Sequence, residues 1–168
     1  MNTYTLAQAV AAAIAADTAT QTYCSTTWGR ALRVCCDALG HYEDPAETAG
    51  APYPYVVVGP SGDDSGGPEA AEQTREIAAL VVIDASRTAA GDFADPAKPR
   101  LETTGIYTVG QGAELAALVE HVQTAIRAAK PGSILRRTRI VWNGIDSLPV
   151  QFAAVIAEYY EAKAFGDW

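Results

Sequence analysis

The sequence predicts an α+β fold: a mainly antiparallel sheet flanked by an N-terminal helix and a long amphipathic helix. Three observations carry that expectation. Residues 53–59 (YPYVVVG) and 76–85 (EIAALVVIDA) are apolar runs rich in β-branched side chains, which favour extended backbone, and a glycine-rich stretch separates them. They read as neighbouring antiparallel strands at the heart of the sheet. Residues 111–129 repeat apolar side chains at helical spacing, and residues 3–16 are dominated by alanine, the strongest helix former.

The elements follow in chain order. In 3–16, Leu6, Val10 and Ile14 recur every fourth residue, and Thr3 or Thr5 is placed to cap the start. Residues 17–27 are polar and threonine-rich and read as a loop or a short edge strand. Residues 28–39 fit two patterns. Trp28, Leu32, Cys35 and Leu39 share a helical face, whereas 31–36 also fits a strand. Residues 40–51, with Gly40, Pro45 and the acids Glu43, Asp44 and Glu47, read as a surface loop.

Pro52 and Pro54 bias the entry to the 53–59 strand away from helix, and Gly59-Pro60 closes it. The stretch 60–68 is flexible by composition, and 69–75 reads as a short helical turn or an extension of it, so a long loop is expected over 60–74. In the second strand Ile77, Val81 and Ile83 point one way and Leu80 and Val82 the other, the pattern of a strand covered on both sides or lying inside an assembly. Residues 86–104, with Gly91, Pro96 and Pro99, form a second long connection, of the kind that reaches a neighbouring molecule in an assembly.

In 111–129 the stripe is Leu115, Leu118, Val119, Val122, Ile126 and Ala129, stopped by Pro131-Gly132. Residues 134–142 form a strand. Asn143-Gly144 signals a turn, with 146–149 lengthening the connection. Residues 150–165 suit a helix through Phe152, Val155, Ile156 and Tyr159, and suit a strand through their density of aromatic and β-branched side chains.

The 168 residues fit one domain, and 49% apolar against 19% charged residues is too apolar for disorder. The alanine-rich run 7–16 is too short for a membrane span, and no basic segment precedes it, so no secretory signal is expected. A net charge of -8 argues against a general nucleic-acid binder, which needs Lys and Arg for phosphate. Three cysteines, Cys24, Cys35 and Cys36, do not make a disulfide framework and read as buried reduced thiols.

Candidate chemistry is thin. The 59–67 loop lacks the GK[ST] ending of a phosphate-binding P-loop, and Asp63-Asp64-Ser65 lacks the spacing of a calcium loop. His41 with Cys35 or Cys36 is the one conceivable catalytic pair, without a nucleophile elbow to frame it. His121 lies one position before stripe residue Val122 and is expected to be solvated or interfacial. No catalytic residue, metal site or cofactor site is assigned. Charge is more informative. Residues 37–76 carry nine acids and one base, whereas 127–139 carry five bases (Arg127, Lys130, Arg136, Arg137, Arg139) and no acid. Such runs are either solvated faces or complementary patches, and a head-to-tail ring needs two different complementary patches on each subunit.

The strand motif Tyr53-Pro54-Tyr55-Val56-Val57-Val58, the partner strand Ala79-Leu80-Val81-Val82-Ile83, the helix at 114–129 and the closing segment 152–165 together resemble the tail terminator (tail completion) proteins of long-tailed bacteriophages. The resemblance covers most of the chain, with the connections 60–74 and 86–104 longer than the family pattern. It implies a mixed sheet flanked by helices, and it favours strand for 150–165. It implies a structural virion protein of the tail or neck, assembled in the host cytoplasm as a hexameric ring. Such a ring caps the tail tube, ends its polymerisation and offers the surface for head joining. The implied partners are the tail tube protein and head–tail connector proteins, with DNA passing through the lumen without specific binding and no cofactor. On this expectation Arg136, Arg137 and Arg139 form a subunit interface with Glu43, Asp44 and Glu47, and Asp63 and Asp64 lie on a partner-contact loop. The alternatives are another head–tail joining or stopper protein, and a small cysteine-dependent α/β enzyme.

Overall fold

The structure, a computed structural model, describes residues 2–36, 53–64, 72–84, 87–88, 91–92, 100–101, 107–108, 111–129, 131–142 and 150–162. Helix α1 (Thr3–Ala16) buries Leu6, Ala7, Val10, Ala11 and Ile14 along one stripe. Its cap is Asn2 and not a threonine: Asn2 Oδ1 accepts from the Thr5 amide at 2.7 Å.

The 17–27 segment is a helix, α2 (Thr18–Trp28), where the sequence pointed to loop or edge strand. Two facts override its weak propensity. Asp17 ends α1 and caps α2, its carboxylate accepting from the Thr20 amide at 2.8 Å. Thr20, Cys24 and Trp28, spaced by four, bury one face, so packing supplies what threonine does not. Gly29, at φ 69°, ends the helix in the left-handed region that glycine tolerates. Gln21 then pins the exit: its Oε1 accepts from the Leu32 amide at 2.9 Å and its Nε2 donates to the Leu32 carbonyl at 3.3 Å.

Of the two patterns for 28–39, the strand is realised as β1 (Arg33–Cys36), which lies parallel to β2 (Tyr55–Asp64). β2 in turn pairs antiparallel with β3 (Glu72–Asp84), as the two apolar runs predict. Both strands run further than expected. The 60–74 loop is strand as far as Asp64 and from Glu72 on, so Asp63 and Asp64 lie in β2 and not on a loop. Asp63 and Asp64 sit opposite Arg75 and Thr74 in register. A shift between Pro60 and Gly62 lets the glycine-rich stretch stay in the ladder. A Cβ at Gly62 would come within 3.3 Å of Glu76 Cβ, a tight approach that glycine avoids.

Between 87 and 108, within and just beyond the expected 86–104 connection, the chain forms short strands where none was expected. β4 (Arg87–Thr88) pairs with β5 (Gly91–Asp92), and β6 (Arg100–Leu101) pairs with β7 (Tyr107–Thr108). Helix α3 (Gly112–Ala128) buries Leu115, Leu118, Val119, Val122, Ala125 and Ile126, the expected stripe. β8 (Ile134–Trp142) and β9 (Val150–Ala162) close the chain, the latter as strand.

The five long strands form one mixed sheet in the order β1-β2-β3-β9-β8, antiparallel except for β1 with β2. All three helices bury their stripes against the same sheet face, meeting Val56, Val58, Ile77, Ala79, Val81, Ile83, Val155 and Tyr159. The opposite face holds a smaller cluster of Tyr55, Val57 and Val82, flanked by Tyr53, Leu80, Val150 and Phe152. A polar link ties the helices together and to the sheet. Trp28 Nε1 donates to buried Gln111 Oε1 at 3.0 Å, and the Gln111 amide donates to Gln151 Oε1 at 2.9 Å. Among the described residues no helix is long and apolar enough to cross a membrane.

The shared cap at the α1–α2 break is testable. Asp17→Ala removes the acceptor for the Thr20 amide and should cost about 1 kcal/mol of stability, whereas Asp17→Asn should cost much less. Urea unfolding followed by far-UV circular dichroism reads both.

Candidate functional site

The most chemically distinctive surface is the outer strand β8 and the sheet face beside it. The chain leaves α3 through Pro131 and Gly132, the latter at φ 88°. On the helix side, Leu135 and Ile140 pack against the core, and Thr138 Oγ1 accepts from Gln123 Nε2 at 2.8 Å and from Arg127 Nη2 at 3.2 Å. The opposite face carries Arg137, Arg139 and Val141, whose register partners on β9 are Glu158, Ile156 and Ala154. A register shift between Leu135 and Arg137 inserts Arg136 into this strip.

Beneath the arginines lie two carboxylates from neighbouring strands. Glu76 and Glu158 are direct register partners on β3 and β9. Like charges placed opposite in a ladder repel, and Glu158 is only 8% exposed. The arginines resolve the conflict. Arg137 Nε donates to Glu158 Oε2 at 2.6 Å, and Arg136 Nε stands 3.7 Å from Glu158 Oε1. Arg139 Nη2 reaches over β9 to Glu76 Oε2 at 3.4 Å, and Ser61 Oγ donates to Glu76 Oε1 at 3.3 Å. All three arginine side chains are more than half exposed. Their ion pairs are therefore screened by solvent, and their main contribution is to keep a nearly buried carboxylate from standing unpaired.

The sequence singled out the three arginines, and the structure gathers them into one strip. Their partners Glu76 and Glu158 were missed. The available signal was a single glutamate breaking the apolar face Phe152, Ala154, Ile156 of β9. Glu43, Asp44 and Glu47, the expected partners of the arginines, lie outside the described residues. The mixed acid and arginine cluster offers an acidic partner many unspent guanidinium donors, since each arginine carries five.

The thiols and histidines fall elsewhere. Cys24 is buried on α2, and burial pushes its pKa up to about 12, so it stays protonated at neutral pH. Cys35 and Cys36 are half-buried neighbours on β1 and point to opposite faces of the sheet. His41 lies outside the described residues. His121 is half-buried on α3, with its ring 4.8 Å from that of Tyr23, whose hydroxyl donates to the Glu114 carbonyl at 3.1 Å. Among the described residues, no three His, Cys, Asp or Glu side chains gather as a metal site would require. Neither a scan against protein-family models nor a search of curated proteins returns a match to this chain.

Two outcomes test this description. Arg137→Ala leaves Glu158 without its short ion pair and should destabilise the fold by about 1–2 kcal/mol, while Arg136→Ala, at a longer distance, should cost under about 0.5 kcal/mol. Urea midpoints of the two variants would establish the order. The second outcome concerns alkaline pH. Burial raises Cys24 from 9.0 and Tyr159 from 10.0, each to about 12. The unfolded chain releases these protons first, so stability is full below pH 9 and falls as pH rises towards 12. The urea midpoint should be lower at about pH 10.5 than at about pH 8, and Cys24→Ala should remove the part of the loss that begins first.

Proposed function

We propose that the chain is a structural component of a bacteriophage tail, of the tail terminator type, working through assembly and not through chemistry in a pocket. The observation that carries this reading is the basic outer strand β8 on a chain of net charge -8, with Arg136, Arg137 and Arg139 exposed. A positively charged strip on an acidic molecule is a surface for oriented association. The mixed sheet covered by helices agrees with the resemblance in 53–58, 79–83, 114–129 and 152–165. In this reading the protein forms a closed ring on the tail tube, ends its growth and provides the surface for head joining. DNA passes through a lumen whose negative charge disfavours sticking. The proposed partners are the tail tube protein and the head–tail connector proteins.

Arg137 and Arg139 already hold Glu158 and Glu76 of their own chain. Glu43, Asp44 and Glu47, the expected partners of the strip on the next subunit, lie outside the described residues, and we assign the strip to the joining surface. A head–tail joining or stopper protein is the nearest alternative, and the position of the protein in the particle separates the two.

Light scattering and native mass spectrometry of the purified chain at high concentration should reveal a closed ring, and immunogold labelling should place it at the head-proximal end of the tail. A monomer at all concentrations, together with absence from purified virions, overturns the proposal.

A further inference from the structure

Strand β8 is nine residues long, ends the sheet, and has no described strand beyond it. Its outer backbone edge is a template for another strand. Long open edges are usually kept polar, yet this one also exposes large apolar side chains at its ends. Three of the four exposed large apolar side chains among the described residues lie on it: Ile134 at 59%, Val141 at 47% and Trp142 at 52%. The arginines sit between these apolar ends. A strand that only needed protection from aggregation would carry the charges without the exposed tryptophan.

The charges also decide what can bind. Antiparallel pairing of β8 with β8 of a second copy, centred on Arg137, Thr138 or Arg139, sets arginine opposite arginine, which is destabilising. The other edge of the sheet, β1, spans only four residues, Arg33–Cys36, and carries Arg33 and no carboxylate within them. In those central registers β8 of a second copy meets like charge, and the four residues of β1 offer the strip no opposite charge. We propose that β8 is a docking edge for an extended, acidic segment of a different polypeptide, added as a sixth strand. Main-chain hydrogen bonds supply the affinity, carboxylates at alternating positions meet the arginine strip, and apolar side chains at the segment's ends cover Ile134 and Trp142. The inference concerns a single chain and does not rest on ring formation.

The probe is a fluorescent nine-residue peptide with valine at each end, glutamate at positions two, four, six and eight and threonine between, titrated against the full chain by anisotropy. Three controls accompany it: the same peptide with lysine for glutamate, the same peptide N-methylated along one edge, and the variant R136E/R139E with its fold checked by circular dichroism. Saturable binding of the glutamate peptide is expected, weakened about tenfold or more by each change. Amide shifts of the labelled protein should concentrate on β8. If R136E/R139E does not fold, R136Q/R139Q replaces it. The inference is overturned if the glutamate and lysine peptides bind alike, if N-methylation has no effect, if the shifts fall on β1 or the helices, or if β8 proves buried between copies of this chain. A null result here leaves the ring reading standing, and a monomeric chain that binds the glutamate peptide at β8 leaves this inference standing.

Discussion

β3 and β9 run antiparallel through thirteen consecutive residue pairs without a break in register, and the remaining architecture follows from that ladder. β3 is the middle strand of five and apolar on both faces at its centre, so each face demands cover. Three helical stripes meet one face. The other face divides along the strand direction into an apolar half around Val57, Leu80 and Val82 and a charged half around Glu76 and Glu158. Because the period of a strand is two, a slip of one residue would exchange these sets and drive Glu76 and Glu158 into the helix-covered core. The ladder's register is therefore held by the cost of burying charge as well as by the gain from burying valine and isoleucine.

The charged half illustrates how a local penalty becomes a surface property. Two glutamates opposite one another would be unfavourable alone, and Glu158 is nearly buried. Relief comes from β8, whose arginines must cross the face to reach them. This keeps the guanidinium groups partly over the sheet and partly in solvent, and makes the outer strand basic on an acidic molecule. The same residues that neutralise the ladder set arginine opposite arginine wherever two copies of β8 pair antiparallel about its centre.

How much of this was legible depended on whether a segment's information was local. α1 and α3 declare themselves through apolar side chains at helical spacing, and the cores of β2, β3 and β8 through β-branched density. α2 did not, because its threonines favour other conformations, and its formation rests on the Asp17 cap and on burial of Cys24 and Trp28 against groups distant in sequence. The strand ends at 60–64 and 72–75 were read as loop because the first is Pro-Ser-Gly-Asp-Asp and the second, Glu-Gln-Thr-Arg, has no apolar residue to mark a strand, and the pairing of one with the other keeps them extended. The arginine strip was visible as a run of charge, whereas its carboxylates were not, since nothing in the sequence aligns position 76 with position 158.

The sequence by itself determined the class of the fold, the two helical stripes, the apolar strands and the sign of the charge on each segment. These follow from periodicity and composition, which act within a few residues. Only the tertiary structure decided the strand order, the second helix, the extended β2–β3 ladder and the pairing of Arg137 and Arg139 with Glu158 and Glu76. Those features depend on register between strands far apart in the chain. Register is set by which buried face and which buried charge can be satisfied at once, a condition that no single segment contains.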